Sequence, residues 1–193
     1  MRNFDPLTHK YSVDGLPYVG VNELLIAEGL KIDLKKVVPQ EALEAGWDKG
    51  KTIHKIAQLT LKGTLDKKSV DPALTPYYDE IRHFTQEYGV SPVHIEAQMW
   101  DDDKLFAGQT DLIAKTNKGL AVVDWLISGE KYLQMLCYKM LAKKFFGLEI
   151  ETLISVQLFE DKPYKPLFYK PQRKDELLIM SALNLYNYKK GRY

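Results

Sequence analysis

The chain has 193 residues, 45% hydrophobic and 27% charged, with 27 basic against 26 acidic side chains and a formal net charge of +1. That length suits one well-buried domain, the composition excludes a disordered chain, and the near-neutral balance excludes attraction of nucleic acid by overall charge alone. An apolar run approaching the ~18 residues of a membrane span is lacking, as is an apolar leader region, and the single Cys137 cannot form an internal disulfide, so a cytoplasmic, reducing setting is expected.

In chain order, Lys10 to Val19 holds two short β-prone runs around Asp14-Gly15, a hairpin signal. Val21 to Gly29 reads as a short helix with Asn22 as its cap and Gly29 at its end. Pro39 to Gly63 is helical in pattern, with a break expected near Gly46 or Gly50, and Pro76 to Tyr88 forms another helix. The period then changes. Val93 to Trp100, Leu105 to Ala114 and Leu120 to Ile127 are rich in β-branched and apolar residues, and Thr116-Asn117-Lys118-Gly119 supplies a turn between the last two, which predicts an antiparallel meander. Leu133, Leu136, Cys137, Met140 and Leu141 recur at helical spacing within Glu130 to Phe146. Ile150 to Leu158 is a fourth strand, Pro166 to Tyr169 a short fifth, and Lys174 to Tyr188 a closing helix. The order predicts an α/β or α+β fold, a central mixed sheet flanked by helices. One domain over 1–193 is expected, with the hairpin and first helices in 1–90, the catalytic sheet and its helix in 91–170, and the closing helix in 171–193.

Within this frame the run Leu120-Ala121-Val122-Val123-Asp124-Trp125-Leu126-Ile127 places a carboxylate near the end of a buried strand. A buried aspartate costs several kcal/mol unless a metal, a basic side chain or solvent meets it. Asp111, after Gly108-Gln109-Thr110 on the preceding strand, folds back beside it. Two acids ~4–6 Å apart repel unless a divalent cation or a shared proton relieves them. Glu96 on the first strand of the meander is a third candidate acid.

Gly50-Lys51-Thr52-Ile53-His54, Glu96, Ala107-Gly108-Gln109-Thr110-Asp111, Val123-Asp124-Trp125-Leu126-Ile127 and Gln134-Met135-Leu136-Cys137-Tyr138 follow in the order seen in PD-(D/E)XK nucleases, and the chain resembles their RecB-nuclease and phage-exonuclease branch. Phe4-Asp5-Pro6 through Tyr18 to Leu25 also resembles the opening of phage-encoded members, so the likeness spans almost the whole chain. It implies a restriction-endonuclease-like core and a divalent-metal-dependent deoxyribonuclease, an exonuclease acting on DNA ends in phage replication, recombination or repair. It further implies Mg²⁺ or Mn²⁺ held by His54, Asp111, Asp124 and the main-chain carbonyl of Trp125, with Gln134 and Tyr138 bracing the site near the DNA strand. Imidazole among oxygen ligands suits Mn²⁺ somewhat better than Mg²⁺.

Two positions depart from the family pattern. Leu126 stands where the motif lysine positions and activates the attacking water, and losing such a group lowers rate by ~10²–10⁴-fold. Lys131, Lys139 or Lys115 could swing in from neighbouring elements to replace it, and nothing in the sequence selects one. Gln58 stands where relatives often carry an acid. The alternative to an enzyme is therefore a catalytically inactive protein of the same fold that binds DNA or a partner protein. Local cations and rings at Lys31 to Lys36, Lys143-Lys144, Lys162 to Lys174 and Tyr188 to Tyr193 suit single-stranded or frayed DNA ends, where cations meet phosphates and rings stack on unpaired bases.

Overall fold

The computed structural model describes residues 1–6 and 8–192; Leu7 and the last residue of the C-terminal basic tail, Tyr193, lie outside the described residues. Strands β1 (Arg2–Asp5), β2 (Lys10–Val13) and β3 (Leu16–Gly20) lead into helix α1 (Val21–Ala27) and then the long helix α2 (Gln40–Leu61). Helix α3 (Thr75–Glu87) precedes the meander of β4 (Ser91–Asp101), β5 (Phe106–Thr116) and β6 (Gly119–Leu126). Helix α4 (Tyr132–Phe146), strands β7 (Thr152–Gln157) and β8 (Lys165–Tyr169), and helix α5 (Arg173–Lys189) complete the order.

The expected elements form, with three corrections. The first strand, Arg2–Asp5, was not expected; it pairs antiparallel with β2, whose Asp14-Gly15 turn makes the predicted hairpin with β3. Asn22 does not cap α1: Gly20 holds that position, and the Asn22 side chain accepts instead from Lys31 Nζ at 2.7 Å. Helix α2 runs unbroken through Gly46 and Gly50. Added side chains at either glycine would meet little or nothing, so both sit in an open stretch of helix whose continuity is held by flanking contacts.

The sheet is mixed, as expected. Its order is β1-β2-β3-β5-β6-β7-β8, with β4 on the other edge of β5. The central strand therefore has an unusual neighbourhood. Strand β3 pairs parallel with Phe106 and Ala107, β6 pairs antiparallel from Leu112 onward, and both use the edge of β5 away from β4. Between them, Gly108 to Asp111 have no ladder partner on that edge among the described residues. A gap in the sheet is thus opened by topology, not by a flexible loop.

Helices cover both faces. Ile53, Ile56 and Ala57 of α2 and Tyr77, Ile81 and Phe84 of α3 pack on Leu112, Val123 and Trp125. On the other face, Met135, Leu136 and Leu141 of α4 and Ile179 and Leu183 of α5 pack on Ile113, Val122 and Leu153. Phe84 meets Trp125 edge-on at 5.6 Å, a pairing that adds about 0.5–1.5 kcal/mol beyond the area buried. Among the described residues, no helix is long and apolar enough to cross a membrane.

Candidate active site

The site forms where β5 and β6 part. Their antiparallel register ends at Leu112 opposite Val123, and its continuation sets Asp111 opposite Asp124. From Asp124 to Leu126, β6 keeps its parallel pairing with β7. The parted backbone leaves the Trp125 N–H to donate to Asp111 Oδ2 at 3.2 Å. Strand alternation puts Val123 and Trp125 toward α2 and α3, and so Asp124 and Leu126 toward α4.

Strand β5 is itself irregular here. Gly108 faces Tyr138 and Leu141 of α4, whereas Leu112 packs with α2 and α3, although residues four apart on a regular strand share a face. The slip coincides with Glu96 on the neighbouring strand, a non-glycine residue at φ +54. Such backbone is costly and persists only where its surroundings over-determine it. Glu96 Oε2 accepts from Gln109 Nε2 at 2.5 Å. Burial, reinforced by the charge of Asp111, raises its pKa.

Gly108 has a clear reason to lack a side chain. A Cβ there would lie 2.7 Å from Val21 Cγ2 and 3.0 Å from Tyr138 Cε1. Its absence lets α4 approach β5 closely enough for Gln134 and Tyr138 to reach the site.

Two cationic side chains meet the two acids. His54 Nδ1 lies 2.9 Å from Asp111 Oδ2, linking α2 to β5. Burial pulls the imidazole pKa down, but Asp111 outweighs it and the net shift is upward. Asp111 is shifted down: burial works against its charge, and His54 leads the interactions that override it. Lys131, immediately before α4, places Nζ 2.5 Å from Asp124 Oδ1 and 3.2 Å from the Trp125 carbonyl oxygen. Its ammonium is held above the ordinary lysine range because Asp124 and Asp111 overcome its burial. Asp124, only 2% exposed, is pushed up by burial and by Asp111 against the pull of Lys131. Removing one member of such a buried pair costs about 3–5 kcal/mol, because the other is left uncompensated.

The remaining expected residues fall as follows. Gln134 Nε2 donates to the Tyr138 hydroxyl at 2.9 Å, joining the two on one face of α4. Burial holds the Tyr138 phenol well above its ordinary pKa. Leu126 is 2% exposed, an alkyl group on the Asp124 face. Lys139 is engaged with Glu176 at 2.6 Å, and Lys115 is exposed at the far end of β5, paired in register with Ser91. Of the three lysines considered as replacements, Lys131 alone contacts either acid.

Sequence reasoning missed Lys31 as part of the site. It donates to Gln134 Oε1 at 2.9 Å as well as to Asn22, and burial followed by repulsion from Lys131 lowers its pKa. As one of several lysines after Gly29 it carries no periodic or motif signal; only the folding of α1 against α4 brings it in.

The donors expected for a metal are therefore neighbours: two carboxylates, an imidazole and a main-chain carbonyl. In kind they fit a hard or borderline divalent cation. Among the described residues, however, no three His, Cys, Asp or Glu side chains are gathered as a metal-holding group. His54 takes a lone pair of Asp111, and Lys131 takes one of Asp124 and one of the Trp125 carbonyl.

No protein-family model and no curated protein matches the chain. Among solved structures, it is similar to an alkaline exonuclease, LHK-Exo, from Laribacter hongkongensis, at 9% identity and a TM-score of 0.45 over 89% of this chain and 87% of that one. It is also similar to the protein SSO0001, at 12% identity and a TM-score of 0.38 over 91% of this chain and 79% of the other. Identities this low transfer no residue roles.

Proposed function

We propose that the chain is a divalent-metal-dependent nuclease that hydrolyses phosphodiesters at DNA ends, in keeping with its motif resemblance to PD-(D/E)XK exonucleases. The observation that carries this reading is the His54–Asp111 contact between α2 and β5 at the gap where the central strands part and Asp124 follows on β6. Two acids at a buried gap need positive charge beside them; His54 and Lys131 supply it within the chain, and a divalent ion would supply it more strongly.

In this reading His54, Asp111, Asp124 and the Trp125 carbonyl would hold Mg²⁺ or Mn²⁺, which would supply positive charge for the phosphate and lower the pKa of water. The chain's own groups do the rest. Asp111 fixes the His54 ring and, through the Trp125 N–H, the strand that carries Asp124. Gln134, tied to Lys31 and Tyr138, holds the α4 side of the site in place, and Glu96 flanks Asp111.

The substrate is DNA with unpaired ends. Trp47 supports this: it is 42% exposed, with Lys35 Nζ 5.7 Å from its ring centre. It lies seven residues before His54 on the same helix, about 10 Å along the axis and on nearly the same face. A ring and a cation at that spacing suit a base one or two nucleotides from the site. Phage replication, recombination or repair inside the cell is the setting proposed.

A second reading, an inactive DNA- or protein-binding member of the same fold, is favoured by the buried apolar Leu126 in place of the motif lysine. Incubation with end-labelled single- and double-stranded DNA in Mg²⁺ or Mn²⁺ separates the two. Metal-dependent cleavage lost in Asp124→Ala supports the enzyme; tight binding without cleavage supports the binder.

A further inference from the structure

We propose that Lys131 supplies the amine that Leu126 lacks, so that the catalytic ammonium reaches the site from the start of α4 instead of from strand β6. The inference rests on the nuclease reading and adds a residue to it.

Three observations carry it. First, the Lys131 ammonium is within hydrogen-bond distance of Asp124 and of the main-chain carbonyl one residue later, so it lies at the strand end where a side chain from position 126 would act. Second, the chain between Leu126 and Lys131 turns back through Gly129 at φ +82, a conformation glycine adopts without strain. The four-carbon stem of Lys131 is thereby aimed at the site. Third, Lys131 has access to space. With Lys31, Gln134, Tyr132, Glu130 and Asp175 it lines an open cavity of about 390 Å³, where two lysines stand against two carboxylates.

An ammonium has three N–H donors, and in the chain without an ion two are engaged by Asp124 and Trp125. An ion held by those oxygens would release them, leaving the ammonium beside the site with donors for the attacking water and a phosphate oxygen. In the hydrolysis, a bond forms between water oxygen and phosphorus while one bridging P–O bond breaks. The water loses a proton to solvent, and the departing oxygen takes one up. Lys131 donates hydrogen bonds throughout, orienting the water and stabilising the charge that builds on the phosphate. In the resting chain the same ammonium keeps Asp124 compensated, which an alkyl side chain at 131 cannot do.

The test replaces the amine and then restores it chemically. Lys131→Cys, assayed on end-labelled single-stranded DNA with Mn²⁺, is expected to lose kcat by ~10²–10⁴-fold with a much smaller change in KM. Alkylation of that cysteine with 2-bromoethylamine rebuilds a lysine-like ammonium and is expected to recover at least tenfold, whereas iodoacetamide, which adds no amine, recovers nothing. Cys137 is buried and does not compete for the reagent. Calorimetric titration with Mn²⁺ is expected to show binding to Lys131→Cys at least as tight as to the wild type, since an ammonium competing for Asp124 and the Trp125 carbonyl has gone. Activity of Lys131→Cys within threefold of wild type overturns the proposal. So does failed recovery after alkylation confirmed by mass, or lost Mn²⁺ binding, which would make Lys131 a prop for the donors. Cleavage by the wild-type chain tests the nuclease reading by itself, so the two failures are told apart.

Discussion

His54 Nδ1 and Asp111 Oδ2 stand 2.9 Å apart, and this contact joins α2 to β5, the strand that bears the first acid. Because Asp111 also accepts from the Trp125 N–H, one carboxylate ties α2, β5 and β6 together. Asp111→Ala is therefore expected to abolish detectable Mn²⁺ binding by calorimetry and to destabilise the fold by about 3–5 kcal/mol, as for any member of a buried pair. Unchanged metal affinity would remove Asp111 from the ligand set.

Gly108 tests the packing that delivers Tyr138. A Cβ placed 2.7 Å from Val21 Cγ2 has no room, so Gly108→Ala is expected to cost about 1–3 kcal/mol and to lower Tm by several degrees. Thermal denaturation followed by circular dichroism reads it. A Tm equal to wild type would mean that α4 does not approach β5 as described.

Gly46 offers the opposite case. It lies inside a continuous helix with nothing near an added Cβ, so Gly46→Ala is expected to raise stability by about 0.5–1 kcal/mol. A loss of stability would show that α2 is interrupted there after all.

Glu176 carries a pH signature away from the site. Its hydrogen bond from Lys139 Nζ, at 2.6 Å, holds its pKa below the ordinary glutamate value despite partial burial. A depressed folded pKa means the link contributes fully above the unfolded value and is lost as pH falls through the folded one. The Tm difference between wild type and Glu176→Gln should thus be present at pH 7 and shrink below about pH 4. A difference independent of pH would show that the pair contributes through packing alone.

Trp47 can be followed by its own light. Trp100 and Trp125 are buried, at 7% and 2% exposure, so quenching of exposed tryptophan on adding single-stranded DNA reports Trp47. Trp47→Phe should remove most of that change, and Trp47→Ala should raise KM for single-stranded ends about 5–100-fold, the worth of one stacked base. Equal quenching in Trp47→Phe would place the bases elsewhere.

The sequence by itself determined most of the secondary elements and the candidates, missing the strand Arg2–Asp5. Hydrophobic period separates the meander from the helices, and Asn117-Lys118 marks the turn that lays Asp124 beside Asp111, so the acids' pairing was legible. Period and turn chemistry are local, and local signals survive without a fold. What only the tertiary structure decided is which cations meet those acids. His54 arrives because α2 packs its Ile53 and Ala57 on the sheet beside Asp111, and Lys131, not Lys115 or Lys139, arrives because Gly129 turns the chain back. Lys31 comes from a segment more than a hundred residues from Gln134. These are contacts between distant segments, set by how close two backbones can approach. Gly108 permits that approach, but its vacancy carries meaning only once Val21 and Tyr138 are in place around it.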